Sequence, residues 1–212
     1  MSGELTKAKL LRAASEAFAE HGFEGASLRK IQAAAGVNSA TTHYHFGSKA
    51  ALYRGVVEGS LVDIIRERVR RMDAVDHKLP PNERLTAYIN AYMRPHLETT
   101  LRPEGRHYGR ILARLLVEPR TPEVNEVFAE LVNPARNELI RRLEKVFPYC
   151  GPDRLARAVG LIVSVMAQTP IDSIYAHVSG KSPTDNPEAT MEAATAFAVA
   201  GVIELCGPFA DA

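Results

Sequence analysis

Residues 39–49 concentrate side chains that could bind a nucleic acid. The first few of these residues are small or carry a hydroxyl, so they allow close approach to base edges, and Thr can also touch a thymine methyl group. The following residues offer hydrogen-bond donors suited to phosphate oxygens, namely His43, Tyr44, His45 and Lys49. Donors to phosphate fix position along a nucleic acid, whereas contacts with base edges read its sequence. This stretch is therefore predicted to bind a nucleic acid.

The flanking residues predict a helix, a glycine turn and a second helix, which together would position these side chains. Ser27 is suited to cap a helix in which Leu28, Ile31, Ala34 and Ala35 recur at helical spacing. Gly36 should end that helix, and Asn38 should cap the next one, over about Ser39 to His45. This is the pattern of a helix-turn-helix, whose second helix lies in the major groove of DNA.

The second helix is too short and too polar to be stable alone, because isolated helices below roughly 12 residues are marginal in water. Its exposed residues must therefore serve another purpose. Ser48 should cap a third helix in which Lys49 occupies the first turn, and a cation there opposes the helix dipole. A phosphate at Lys49 would explain that placement. Two other readings stay open: the helix pair could serve protein contacts, and the His-x-His pair could be solvated surface.

The runs FAEHGFEGASLRKIQAAAGV and HYHFGSKAALY resemble the DNA-binding domain of the tetracycline-repressor (TetR) family of bacterial transcriptional regulators, over about Leu5 to Val57. Many relatives have Leu-Tyr where this chain has Thr42 and His43, which moves the expected phosphate contacts onto Tyr44, His45 and Lys49. The resemblance implies contacts with bases and phosphates from the following residues: Ser27, Arg29, Asn38, Ser39, Thr41, Thr42, His43, Tyr44, His45 and Lys49.

The composition of the whole chain limits the function classes. A net charge of +1 over 212 residues does not indicate a strongly basic protein, so affinity for DNA must come from local placement and from doubling in a dimer. Cys150 and Cys206 are far apart and form no CxxC motif, which favours a reduced, cytoplasmic chain. We expect neither a signal peptide nor a membrane span, and no metal site, because His21, His43 and His45 are not grouped with Cys or carboxylates.

Helical periodicity continues to the C-terminus and predicts an all-α fold. We expect an N-terminal three-helix helix-turn-helix domain over residues 1–50 and a helical ligand-binding and dimerisation bundle over residues 51–212. The predicted later helices are Lys49 to about Asp73, one opened by Pro80-Pro81 and closed by Arg102-Pro103, Arg106 to Val117, Pro122 to Val146, Asp153 to Gln168 and Pro187 to Leu205.

The last two helices are apolar and rich in small residues nearly all round, so each should be covered on more than one side. We predict that they form a four-helix interface between two copies of the chain. The alternative is that both are central helices of a monomer.

The resemblance also implies a cavity for a small-molecule effector in the second domain, without a cofactor. The candidates for its lining are Tyr88, Tyr92, His96, His107, Arg110, Arg114, Met166 and Gln168. Any one of them is more often ordinary core or surface, since amphipathic helices in a bundle always supply such residues.

The function predicted is a homodimeric DNA-binding regulator, a repressor that a small molecule releases from a palindromic operator. Two alternatives remain: an all-helical small-molecule-binding protein or enzyme whose helix-turn-helix is structural, and an adaptor that uses the motif for protein contacts. The sequence contains no Gly-rich phosphate loop, no H-E-x-x-H and no G-x-S-x-G motif, so it offers no support for catalysis.

Overall fold

The computed structural model describes residues 2–117, 121–171 and 173–209, and these ranges contain helices and short connections without a strand. The helices in chain order are α1 Ser2–Gly25, α2 Leu28–Ala35, α3 Ser39–Phe46, α4 Lys49–Asp73, α5 Pro81–Thr100, α6 Arg106–Val117, α7 Pro122–Val127, α8 Asn133–Val146, α9 Pro152–Gln168, α10 Ser173–Ser179 and α11 Pro187–Cys206. The predicted all-α fold is confirmed.

The chain divides into two compact units that do not follow sequence order. The first unit comprises Met1–Val62 and His107–Leu131, and the second comprises Asp63–Arg106 and Val132–Ala212. Helix α4 therefore contributes residues to both. The functional boundary expected at residue 50 stays a prediction.

Most helix ends lie within a residue or two of the predicted ones, and the exceptions have local causes. Gly22 has φ of 69°, which breaks the helical backbone inside α1, although helical turns resume as far as Gly25. The predicted helix over 122–146 is divided by a π-helical turn, Phe128–Val132. That turn ends two residues before Pro134, which has no amide hydrogen to donate to a carbonyl one turn earlier. The short, exposed helix α10 was missed.

Aromatic rings form the centre of the first unit. Phe18 of α1 and Tyr53 of α4 meet edge to face with centroids 4.9 Å apart, and Phe23 lies 5.1 Å from Tyr53. Ile31 of α2 is buried as well. The aromatic contacts thus join α1 to α4, while α2 packs against α1 and α3.

Helix α5 is the central element of the second unit. It packs against α8, α9 and α11, and buries a long stripe that includes Leu85, Ile89, Met93 and Leu97. Helices α9 and α11 also pack against each other. The second unit is therefore a helical bundle built around one buried helix.

Helices α9 and α11 each keep one apolar face exposed. Leu161 of α9 is 52% exposed and Phe197 of α11 is 70% exposed, and small residues such as Gly160 and Ala200 surround them. By length and composition alone α11, with a mean hydropathy of 1.4, is long and apolar enough to cross a membrane. The expectation of no membrane span stays a prediction. Its alanines and its larger aliphatic side chains raise its hydropathy, and its other face packs against α5 and α9.

Candidate functional site

The α2–α3 turn is built by three capping interactions. The Ser27 hydroxyl accepts a hydrogen bond from the Lys30 amide at 3.4 Å, which opens α2. Gly36 closes the helix in the left-handed conformation, with φ of 66° and ψ of 35°. Asn38 then opens α3, since its Oδ1 accepts from the amide of Thr41 at 2.8 Å and from the hydroxyl of Thr41 at 2.9 Å. The predicted helix, glycine turn and helix are confirmed.

Helix α3 presents a mostly exposed, polar surface. Tyr44 is 85% exposed, and Ser39 and His43 are exposed beside it. Thr42 points inward instead, is buried, and donates its hydroxyl to the Asn38 carbonyl at 3.2 Å. Thr41 and His45 are half-buried, like Ser27, whereas Arg29 and Asn38 are exposed. The helix thus offers hydroxyls, imidazoles and a phenol at its surface, with Thr42 as its anchor.

Lys49 has a second structural explanation besides a phosphate. Its Nζ donates to the Glu24 carbonyl at 3.1 Å and lies 5.0 Å from the centroid of the Phe23 ring. Glu24 belongs to the last turn of α1, where unsatisfied carbonyls favour a cation. Lys49 therefore joins the start of α4 to the end of α1, a role that its position in the sequence did not reveal.

The residues predicted to line the effector cavity are divided between the two units. His107, Arg110 and Arg114 lie in the first unit, where Arg114 donates from Nε to the Ala19 carbonyl at 2.9 Å and from a terminal nitrogen to the Glu20 carbonyl. In the second unit, Gln168 borders an open cavity of about 570 Å³ lined by α9, α10, α11 and residues 181–186.

The other candidates lie on or near α5. The Tyr88 hydroxyl is 3.2 Å from Nδ1 of His77. Tyr92, His96 and Met166 come together around Arg68 of α4, which the sequence analysis did not include. Arg68 continues the buried stripe of α4 after Leu61 and Ile64, so the signal available was a charged residue at an apolar position of the helical period. The structure thus brings three of the eight candidates into one buried polar cluster.

The chain is all-helical, and a glycine turn and two capped helix starts hold its exposed third helix. These features define the class of helix-turn-helix DNA-binding proteins. A family model described as "Bacterial regulatory proteins, tetR family" matches residues 10–56. A second, described as "Tetracyclin repressor-like, C-terminal domain", matches residues 90–201, which is more than half of the chain. The chain belongs to the TetR family of bacterial transcriptional regulators. This family consists of regulators, which confirms that the chain is not an enzyme.

Curated relatives agree with this assignment. The HTH-type transcriptional repressor SCO4008 of Streptomyces coelicolor is 31% identical over 134 residues, which cover 63% of this chain and 65% of that protein. The HTH-type transcriptional repressor NicS of Pseudomonas putida is 29% identical over 106 residues, covering 49% of this chain and 50% of NicS. The chain thus spans between half and two thirds of the length of these two relatives.

Solved structures share the fold over nearly the whole chain. The fatty acid degradation regulator FadR from Bacillus halodurans has a TM-score of 0.62 at 18% identity, covering 91% of this chain and 97% of that one. The TetR family regulator PfmR from Thermus thermophilus has a TM-score of 0.59 at 20% identity, covering 91% of this chain and 96% of that one. These likenesses confirm an all-helical regulator fold with an N-terminal helix-turn-helix.

Proposed function

We propose that the chain is a homodimeric transcriptional repressor that binds a palindromic operator through α3 and leaves it when a small molecule occupies the second unit. The observation that carries this proposal is the surface of α3, where a helix too short to be stable alone is held by caps and exposes a large aromatic side chain, Tyr44. Burial of Tyr44 against a bound partner would contribute favourable free energy to binding.

The exposed positions of α3 divide into two kinds of contact. We assign Ser39 and Thr41, at the start of the helix, to base edges in the major groove. The Thr41 hydroxyl donates to Asn38 Oδ1 and can still accept a hydrogen bond from a base. Tyr44, His45 and Arg29 supply donors for phosphate oxygens. Thr42 acts by holding the helix, because its hydroxyl is already bound to the backbone of Asn38.

The exposed apolar faces of α9 and α11 support a dimer. In a single chain Phe197 and Leu161 are exposed to solvent. The small residues around them would let the helix backbones of two copies approach closely. A monomer in which both helices are central would bury these faces, so the exposure favours the dimer over that alternative. Two copies would present two recognition helices to symmetric half-sites.

Release by a ligand requires an element that both sites can bias. Helix α4 meets this need, since it begins at Lys49 beside the helix-turn-helix and contributes Arg68 to the second unit. A ligand that changes the position of α4 changes the DNA-competent population. We place the protein in the cytoplasm, where its DNA would be.

The test is selection of DNA by the full chain from a random double-stranded pool, followed by affinity measurements at about 50 and about 200 mM salt. We expect a palindromic consensus, two protomers per site, and a steep loss of affinity with salt because phosphates are neutralised. Tyr44→Ala should weaken binding, and Tyr149→Ala, at an exposed tyrosine of the second unit, is the matched control. Absence of an enriched sequence, or salt-insensitive binding, would refute the proposal.

A further inference from the structure

Arg68 is a charged residue in the core of the second unit. Its side chain extends from α4 and the residue is 3% exposed, level with its apolar neighbours on the same helix stripe. Burial lowers the pKa of Arg68, but a guanidinium remains charged in proteins. The core therefore contains a fixed positive charge.

The partners of Arg68 are neutral. Its Nε donates to the Tyr92 carbonyl at 2.8 Å, a terminal nitrogen donates to the Met166 sulfur at 2.9 Å, and its Cζ lies 4.3 Å from the centroid of the Tyr92 ring. Throughout residues 2–117, 121–171 and 173–209, no carboxylate forms an ion pair with Arg68. A thioether is a weak acceptor, and buried charges are normally paired. The charge lacks a counter-ion from the described chain.

Two further polar side chains beside Arg68 lack partners in full hydrogen-bond geometry. The Tyr92 hydroxyl has no hydrogen-bond partner in the described part of the chain. The ring nitrogens of His96, which is 0% exposed, have no partner in full hydrogen-bond geometry there and interact only weakly with the Met166 backbone. His96 and Tyr92 are four residues apart on α5, so they share one face of the helix. Burial, and then the neighbouring Arg68, lower the pKa of His96 to about 3, with the nearby Met166 backbone opposing. At neutral pH His96 is therefore an uncharged donor.

We propose that Arg68, Tyr92, His96 and Met166, here called the Arg68 site, bind the carboxylate group of an organic monoanion. The carboxylate pairs with the Arg68 guanidinium and accepts hydrogen bonds from the His96 ring and the unpartnered Tyr92 hydroxyl. This inference rests on the proposed function, in which the bound molecule is the effector, and it names the effector's chemical class.

The charge of the site selects among ligand classes. A cation would meet Arg68 at close range and be repelled. A dianion would leave its second charge buried without a partner, because the neutral His96 supplies no second positive charge. An uncharged ligand would leave Arg68 unpaired. A single carboxylate satisfies the cation and both donors together.

The inference is tested by NMR titration of the full-length protein with acetate, hexanoate and benzoate, each compared with its primary amide at constant ionic strength. We expect at least one acid to shift the side-chain resonances of Arg68 and His96 in a saturable way, and its amide to bind at least about tenfold more weakly, since an ionic hydrogen-bond partner is lost. Sodium chloride and phosphate series distinguish an organic acid from an inorganic anion.

Three variants identify the site. Arg68→Met fills the same volume without charge and should abolish the acid-dependent shifts, whereas Arg66→Met, at an exposed position of the same helix, should leave them unchanged. Tyr92→Phe removes only the hydroxyl and should weaken the acid about tenfold or more. Folding of each variant is checked by its thermal transition. Acid binding that survives in Arg68→Met, or no saturable shift with any of the three acids, overturns the inference.

Operator binding and dimer mass are measured on the same preparations. If the dimer binds its operator but no acid perturbs Arg68 or His96, the assigned ligand class is wrong and the proposed function stands. If an acid binds and no DNA is selected, the proposed function fails while the anion site stands.

Discussion

Replacement of Lys49 by methionine separates its structural contact from its DNA contact. Methionine keeps an apolar stem over the Phe23 ring but removes the hydrogen bond to the Glu24 carbonyl and the cation above the ring. A hydrogen bond from a charged donor at a half-exposed position contributes about 1 kcal/mol, and the cation–π contact about 0.5–1 kcal/mol. The expected loss of about 1.5–2 kcal/mol lowers the unfolding midpoint by about 3–8 °C in a chain of this size.

The effect on DNA binding follows independently of stability. One phosphate contact per protomer gives two per dimer, and each contributes about 0.9 to the slope of log affinity against log salt, so Lys49→Met should make the slope shallower by about 2. The loss should be equal across operator sequences. The assay is fluorescence anisotropy with the selected operator and two single-base variants, over a series of salt concentrations and at a temperature below the unfolding midpoint.

Lys49→Arg is the matched control, since it keeps the charge and a donor. It should retain the salt slope. If Lys49→Met lowers the unfolding midpoint but leaves the salt slope unchanged, Lys49 serves only to join α4 to α1, and the assignment of a phosphate contact is refuted. A change in base preference would instead show that the sorting into phosphate and base contacts is wrong.

Three further outcomes are expected. Thr41→Val keeps the side-chain shape but removes the hydroxyl. In a repeated DNA selection, the discrimination between bases at one position of each half-site should change by about 1–3 kcal/mol. Uniform weakening of binding would contradict this. Phe197→Arg places a charge in the exposed apolar face of α11 and should give monomers in analytical ultracentrifugation, whereas an unchanged dimer mass would move the interface elsewhere. Hydrogen bonds from Arg70 and Arg71 lower the pKa of Glu67 from 4.5 to about 2, so its contribution to stability is present above about pH 4.5 and is lost as the pH falls toward 2. Urea unfolding midpoints of Glu67→Gln should therefore fall less between about pH 5 and about pH 3 than those of the unmodified chain, and parallel curves would refute the assignment.

The helices could be predicted from the sequence because their ends are marked by residues with strong local preferences. Ser27, Gly36 and Asn38 each act within one turn of their own position, and the structure gives all three the predicted capping roles. The division of the 122–146 helix was missed because the sequence analysis treated this stretch as one helix and did not consider Pro134 inside it. Its effect depends on how the preceding turn rearranges, which periodicity does not report.

The pairing of side chains across helices could not be predicted from local patterns. The sequence identified Lys49 as a cation in a first turn, but its acceptor, the Glu24 carbonyl, lies 25 residues earlier. Likewise Tyr92 and His96 share a helix face by spacing, whereas Met166 and Arg68 reach them only through the packing of α9 and α4 on α5. Sequence spacing determines which residues share a face, and tertiary packing determines which faces meet.

The geometry of the Arg68 site explains how a ligand bound there could control DNA binding. A ligand shifts an equilibrium only by the difference in its affinity for the two states, so a site that is equally complementary in both would bind without effect. A buried ion pair depends steeply on geometry, since a small displacement of α4 separates the guanidinium from the carboxylate in a medium of low dielectric constant. The proposed monoanion would therefore select one position of α4 strongly. The operator must select a different position, and by linkage it must weaken the acid by the same factor as the acid weakens it.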